Sequence, residues 1–195
     1  MIFDTRLGLA LSTALLLVAG CGASGRVNQG RVIEYDAAKG LVTLISDSNP
    51  SNPADPHYDV LPPVAIRIPD DPGQMGPAPE AGKLLRLDSD KCEAVVFDSA
   101  SRSIRAVTYT LLEELTGVSE NDPRIAGRAF PAIDREGKTI TVYAPERRWL
   151  ATFTVPEEFL SLPDDTWKKG DEVRYYYKDP GKALRLMNVT KAGAL

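Results

Sequence analysis

The sequence predicts an all-β protein that consists of two tandem, small five-stranded barrels, either OB-like or SH3-like, after a signal peptide. Three observations predict this fold. Short segments with apolar residues at alternate positions recur along the chain, as half-buried strands require. Turns rich in glycine, proline and aspartate separate these segments. The whole pattern then occurs twice, and five strands in each copy suit a small barrel.

The internal repeat is clearest at the start of each copy. GRVIEYDAAKGLVTLI begins at Gly30 and GRAFPAIDREGKTITVY begins at Gly127, and the two align if one residue is inserted before Asp134. Three further pairs follow in the same order: VAIRIP with ATFTVP, GKLLRLD from Gly82 with GDEVRYY from Gly170, and SIRAV with ALRLM. The alternative is a single β-sandwich whose halves are similar by chance.

Each copy contains five predicted strands with turns between them. The strands of the first copy are expected at residues 30–36, 41–47, 64–68, 83–88 and 104–110. Those of the second copy are expected at residues 128–133, 139–144, 150–155, 172–178 and 183–190. The segment PEEFLSL, after the third strand of the second copy, has a proline followed by two acids, which favours a short helix.

The repeat also sets the predicted domain boundaries. The first barrel covers residues 30–110 and the second covers residues 127–195. Residues 111–126 form a connector with one helical turn near its start. Residues 21–29 form a short tether before the first barrel.

The N-terminus has the pattern of an export signal. Residues 7–19 are apolar but too few to span a bilayer, which takes about 20 residues. At their end, Val18-Ala19-Gly20-Cys21 resembles the lipobox of bacterial lipoproteins. This resemblance implies a signal peptide of residues 1–20, cleavage after Gly20 and acylation of Cys21. The alternative is ordinary secretory cleavage near Ala19 or Ala23.

The resemblance to bacterial lipoproteins also implies a location. The mature protein would be held in the cell membrane by its N-terminal lipid and would face the periplasm. Gly22 is not the aspartate that retains many lipoproteins at the inner membrane, so the resemblance favours the outer membrane. The chain as a whole is similar to small exported lipoproteins of Gram-negative bacteria that are catalogued as domains of unknown function, for which no catalytic residues are assigned.

Composition limits the functions that the chain can perform. Its 23 lysines and arginines stand against 27 acids, a net charge of −4, and they form no basic stripe. Nucleic-acid binding is therefore not expected. The chain has one histidine and neither a G-x-S-x-G nor an H-E-x-x-H motif, so we expect neither an enzyme nor a cofactor. A pair of carboxylates acting on a glycosidic bond is the remaining enzymatic alternative.

A proline-rich segment, residues 47–63, contains the weak candidates for a metal site. His57 lies between Asp55 and Asp59 in this segment. Zinc sites usually need three or four converging ligands, and sequence proximity alone does not supply them. We therefore predict a solvated loop and no metal.

Aromatic and basic residues of the second copy form the candidate interaction surface. In the segment DEVRYYYK, strand alternation places Arg174 and Tyr176 away from the core. Arg147, Arg148 and Trp149 precede a neighbouring strand, although Trp149 is also suited to filling the barrel. Tyr, Trp and Arg dominate binding hot spots. We therefore expect a lipid-anchored cell-envelope protein with a non-enzymatic binding or structural role that engages another envelope protein. A binding module for a glycan or a metal ion is the alternative.

Overall fold

β-Strands dominate the computed structural model, which describes residues 24–192. The strands are β1 (Arg26–Asp36), β2 (Leu41–Asp47), β3 (Tyr58–Arg67), β4 (Leu84–Asp88), β5 (Glu93–Asp98), β6 (Ser103–Thr108), β7 (Thr110–Thr116), β8 (Ala132–Asp134), β9 (Thr139–Ala144), β10 (Trp149–Thr154), β11 (Glu172–Tyr177) and β12 (Arg185–Asn188). The all-β class predicted from the sequence is confirmed.

The helices are short. They are α1 (Glu157–Leu160), α2 (Val189–Ala192) and the 3₁₀ turns Pro72–Gln74, Pro145–Arg147 and Asp164–Thr166. The helix predicted in PEEFLSL is confirmed: α1 follows Pro156, begins with two acids and buries Phe159 and Leu160. Within residues 24–192, no helix is long and apolar enough to cross a membrane.

The strands form three antiparallel sheets. Sheet A has the order β12-β11-β1-β2-β3, sheet B the order β4-β5-β6, and sheet C the order β7-β10-β9-β8. Sheet A curls enough for Arg67, at the end of β3, to accept a hydrogen bond from Ala183 and donate one to Gly181, both 2.9 Å long. No sheet in the described part of the chain closes into a barrel.

The two repeats exchange their last strands, and the predicted pair of tandem barrels is wrong for this reason. Sheet A combines the first three strands of copy one with β11 and β12, the last two strands of copy two. β1 pairs with β11 from Arg26 opposite Tyr177 to Arg31 opposite Glu172. In return, β4 and β6 of copy one belong to sheet B, which shares a hydrophobic core with sheet C of copy two.

The chain passes between the two halves at Gly82 and Gly170, the glycines that the repeat aligns. Gly82 N–H donates to the carbonyl of Val32 (3.1 Å), and Val32 N–H donates to the carbonyl of Asp171 (2.9 Å). A Cβ on Gly82 would lie 2.7 Å from Gly170 N, and a Cβ on Gly170 would lie 2.8 Å from Gly82 O. Only residues without a Cβ allow backbones to approach this closely. We call this contact the crossover.

Sheet B is the middle of three layers. On one face, Leu84 and Val96 pack in the core that sheet B shares with sheet C. On the other face, Leu85 and Phe97 pack against Ile45 and neighbouring residues of sheet A. A separate cluster packs on the opposite face of sheet A from Ile45 and includes Val32, Leu44 and Val173.

Some segments differ locally from the prediction. The predicted helical turn at the start of residues 111–126 is wrong, because β7 occupies this part of the connector and pairs with β10. β5 lies where no strand was predicted. β3 begins at Tyr58, so the proline-rich loop is shorter than residues 47–63, and β1 begins at Arg26, within the predicted tether.

Candidate functional site

A groove of about 400 Å³ opens beside sheet C, next to the crossover. Its floor includes Leu84, Val142, Trp149 and Trp167, all of which are buried members of the core between sheets B and C. The groove therefore has a rigid apolar floor, because its floor residues are held by the packing of two sheets.

Two tryptophan N–H groups in this floor differ in their partners. Trp149 Nε1 donates a 2.7 Å hydrogen bond to Glu114 Oε1. Trp167 Nε1 is buried and has no partner among the described residues, and its side chain is only 1% exposed. A buried donor without an acceptor costs about 1 to 3 kcal/mol.

Charged side chains surround the groove, and most of them are paired. Lys169 Nζ lies 2.8 Å from Glu146 Oε1, and Lys168 Nζ lies 3.1 Å from Glu80 Oε2. Arg147, an exposed rim residue, forms no ion pair within 4.0 Å in the part of the chain that the structure describes, although its charge contributes to lowering the pKa of Glu146.

The two rim glutamates are ionised at neutral pH. Hydrogen bonds from Lys191 and Lys168 hold the pKa of Glu80 below its usual range. Burial raises the pKa of Glu146, but the hydrogen bond and charge of Lys169 outweigh burial and lower it. These carboxylates therefore act as fixed partners of lysines and not as proton donors near pH 7.

The structure brings only part of the predicted interaction surface together. Arg147 and Trp149 line the groove. Arg148 is exposed beside them, and its Nη2 donates to the Gly117 carbonyl (2.9 Å). Arg174 and Tyr176 lie on β11 in sheet A and are not among the residues that line the groove.

The environments of Arg174 and Tyr176 follow the predicted alternation. Arg174 is exposed, and its Nε and Nη2 donate to Gln29 Oε1 at 2.8 and 2.6 Å. Tyr176 is half-buried rather than exposed, whereas Tyr175 is buried on the opposite face.

The weak metal candidates lie on an exposed loop. His57 Nε2 is 3.1 Å from Asp55 Oδ2, and Asp59 is exposed at the beginning of β3. Asp47 fixes the loop at its base, because its Oδ1 accepts hydrogen bonds from the backbone of Asn49 and His57, both 2.8 Å long. Within residues 24–192, no group of three or more His, Cys, Asp or Glu side chains is arranged to hold a metal.

A buried polar network near the crossover was not predicted. Arg31 is 5% exposed, and its Nη1 and Nη2 donate to the carbonyl of Gly170 (2.6 Å) and to the hydroxyl of Tyr58 (3.1 Å). The Tyr58 hydroxyl donates in turn to Glu172 Oε2 (2.9 Å), and burial raises its pKa. The internal repeat aligns Arg31 with Arg128, but this similarity could not predict that the Arg31 side chain is buried.

Cys21, the predicted lipidation site, and the rest of the lipobox lie outside the described residues. The groove also contains residues that the sequence did not single out: Phe130, Tyr143, Trp167, Lys168 and Lys169. Their positions in the sequence did not predict that they meet, because they come from separate segments that the fold brings together where sheet C meets the crossover.

The fold and the groove define an all-β domain in which two repeats exchange strands beside an apolar-floored groove. The chain belongs to the DUF4881 family, a domain of unknown function, whose family model matches residues 23–194. No curated protein and no solved structure matches the chain. The family match spans both repeats and the crossover, so the family unit is the whole strand-exchanged fold and not a single repeat.

Proposed function

We propose that this protein is a lipid-anchored cell-envelope protein that binds another envelope protein through the groove and catalyses no reaction. The lipobox ending in Cys21 supports the anchor and a periplasm-facing location, with the outer membrane favoured. The observation that carries the binding role is the groove itself. It combines a tryptophan floor with an exposed arginine, Arg147, that forms no ion pair with any of residues 24–192. Trp and Arg are the residue types most enriched at binding hot spots.

The anchor is tested by changing the acylated residue. The Cys21→Ser variant should leave the membrane fraction, and the mature wild-type protein should carry the mass of its acyl chains on residue 21. Cys92→Ser is the matched control, because Cys92 is a half-buried cysteine of the folded domain, and this variant should remain acylated. A mature protein that begins at another residue and carries no fatty acid would contradict the proposal.

The binding surface is tested by photo-cross-linking in intact cells. A photoreactive amino acid at position 147 places the probe at the groove, and one at position 174 places it on another exposed arginine, on sheet A. We expect a protein adduct from position 147 that mass spectrometry identifies reproducibly, and none from position 174. Adducts from position 174 alone would move the interaction surface to sheet A, and adducts from neither position would refute a protein partner.

A small ligand is the second candidate, and the size of the groove favours it specifically. About 400 Å³ lies in the range of small-molecule sites, about 300 to 1,000 Å³. A thermal-shift screen with cell-wall glycans and divalent metals tests this role, because a ligand at 100 times its dissociation constant stabilises a protein by about 2.7 kcal/mol. A glycan that raises Tm in wild type but not in a Trp149→Ala variant would favour this candidate over a protein partner.

A further inference from the structure

One wall of the groove is the end of strand β9, which pairs with β10 but not with β8. β9 pairs with β10 along Ile140–Ala144, but β8 pairs only with Thr139, Ile140 and Thr141. Val142, Tyr143 and Ala144 therefore have a strand partner on one side only, among the described residues. All three line the groove, so the groove occupies the place where β8 would have continued.

The chain before β8 explains why the pairing stops. Phe130 and Pro131 precede β8 and also line the groove. Proline has no N–H group and cannot donate to a strand ladder. The Phe130 ring packs on Tyr143, with ring centroids 5.9 Å apart. Within the described residues, Phe130 and Pro131 form no backbone hydrogen bond with residues 142–144, so this edge of β9 has no ladder partner.

The opposite wall is also the edge of a sheet. β4 is the outer strand of sheet B, and Leu84, Arg86 and Leu87 line the groove from this side. Leu84 N–H donates a hydrogen bond to the carbonyl of Lys168 (3.0 Å). Lys169 also forms isolated bridges with Lys83 and Leu84, and the described chain provides no second strand beside Arg86 and Leu87. The groove therefore lies between two strand edges above an apolar floor.

A free strand edge offers alternate backbone N–H and C=O groups to a partner strand. Extended peptides bind such edges by adding a strand, and pockets for alternate side chains then give specificity. A glycan cannot complete a ladder of this kind. The edge of β9 therefore favours a polypeptide as the occupant.

The rim and floor indicate which side chains this polypeptide carries. Leu84, Val142 and Trp149 form an apolar surface for one bulky apolar side chain. Lys168 and Lys169 already face carboxylates. Arg147 has no such partner within residues 24–192 and therefore complements an acidic group on the peptide.

We propose that the partner contributes an extended segment that adds as a strand to residues 142–144 of β9, with a bulky apolar side chain on the tryptophan floor and an acidic side chain at Arg147. This inference rests on the proposed function and specifies how the groove engages its partner.

The experiment selects peptides from a displayed random library against the full mature protein. The enriched peptides should share one apolar and one acidic position. The best peptide is then synthesised with a single backbone N-methyl group at each position in turn. Within the stretch of peptide that lies opposite residues 142–144, methylation of an N–H group that faces β9 should weaken binding about tenfold or more, because it removes one ladder hydrogen bond. Methylation at the intervening residues, whose N–H groups point away from β9, should change the dissociation constant little.

Two neighbouring arginines provide matched variants. Arg147→Gln should weaken the acidic peptide about two- to fivefold, as expected for the loss of a solvent-exposed ion pair. Arg148→Gln should have little effect, because the Arg148 side chain is engaged by the Gly117 carbonyl.

The outcomes separate this inference from the proposed function. A selected peptide whose N-methyl series shows no alternation would overturn strand addition and leave the groove as a protein-binding site. Failure of the library to yield any peptide would also overturn strand addition. The adducts at position 147 would then decide the proposed function separately, because their absence would refute a protein partner as well.

Discussion

Replacing Gly170 with alanine tests whether the crossover holds the two halves together. The new Cβ would meet Gly82 O at 2.8 Å and Gly82 N at 2.9 Å, and the carbonyl of Val32 lies closer still. All of these are backbone atoms, so no side chain can rotate away. The substitution must separate the strands or distort the backbone.

The expected cost follows from two contributions. Overpacking a tight site costs about 1 to 3 kcal/mol. The displacement also weakens two hydrogen bonds of the crossover, from Val32 N–H to Asp171 O and from Gly82 N–H to Val32 O, at about 1 kcal/mol each. We therefore expect Gly170→Ala to lower the free energy of unfolding by about 3 to 5 kcal/mol, a large part of the about 5 to 15 kcal/mol typical of folded domains.

Urea unfolding followed by far-UV circular dichroism measures this loss as a shift in midpoint at constant slope. Gly73→Ala is the control, because it makes the same chemical change beside the flexible carboxylate of Asp71, 3.2 Å from the new Cβ. It should change stability by less than about 0.5 kcal/mol. If Gly170→Ala were as stable as Gly73→Ala, the close approach at the crossover would be refuted.

Three further predictions concern other parts of the fold. Tyr58→Phe should cost about 1 to 3 kcal/mol in urea unfolding, because its hydroxyl joins a buried arginine to Glu172, and a smaller loss would show that this bridge is weak. Glu80→Gln should cost at most about 1 kcal/mol at pH 7. Because lysines lower the pKa of Glu80 in the folded state, its contribution is complete above the unfolded pKa, about 4.3, and disappears as the pH falls through the folded pKa. A difference between wild type and Glu80→Gln that grew towards pH 3 would contradict this sign. A fragment of residues 83–168 should fold alone, because it contains the whole core between sheets B and C, whereas residues 30–110 should not. If circular dichroism showed that residues 30–110 fold alone, the exchange of strands would be contradicted and the tandem arrangement of two domains would be supported.

Much of the secondary structure could be predicted because alternation and turn chemistry are local. β2 and β9 have the predicted bounds, and in each case an aspartate before the strand accepts backbone hydrogen bonds from the preceding turn, as Asp36 and Asp134 do. β7 was missed because most of its residues are exposed at the edge of sheet C, which leaves no apolar alternation to detect. Its acidic residues were therefore interpreted as part of a connector.

The exchange of strands could not be predicted from alternation. The last strands of the two repeats have similar patterns, so either pairing would bury similar apolar faces. The choice depends on contacts between distant backbones at Gly82 and Gly170, and sequence similarity marked these glycines without showing that they touch. Only part of the candidate site could be predicted, because its residues also meet through the tertiary fold. The side-chain types of Arg147 and Trp149 indicated a binding surface, but the sequence did not show that Trp167 lies beside them.

Strand exchange also imposes an order on folding. The inner unit from β4 to β10 is continuous in the chain and can assemble from near neighbours. In the outer sheet, β1 must pair with β11, about 140 residues further along the chain, where Arg31 lies opposite Glu172, and this makes the sheet slow to form. A chain threaded through a membrane with its N-terminus first would therefore emerge with an incomplete first sheet. That exposed sheet would need protection from aggregation until β11 and β12 had crossed.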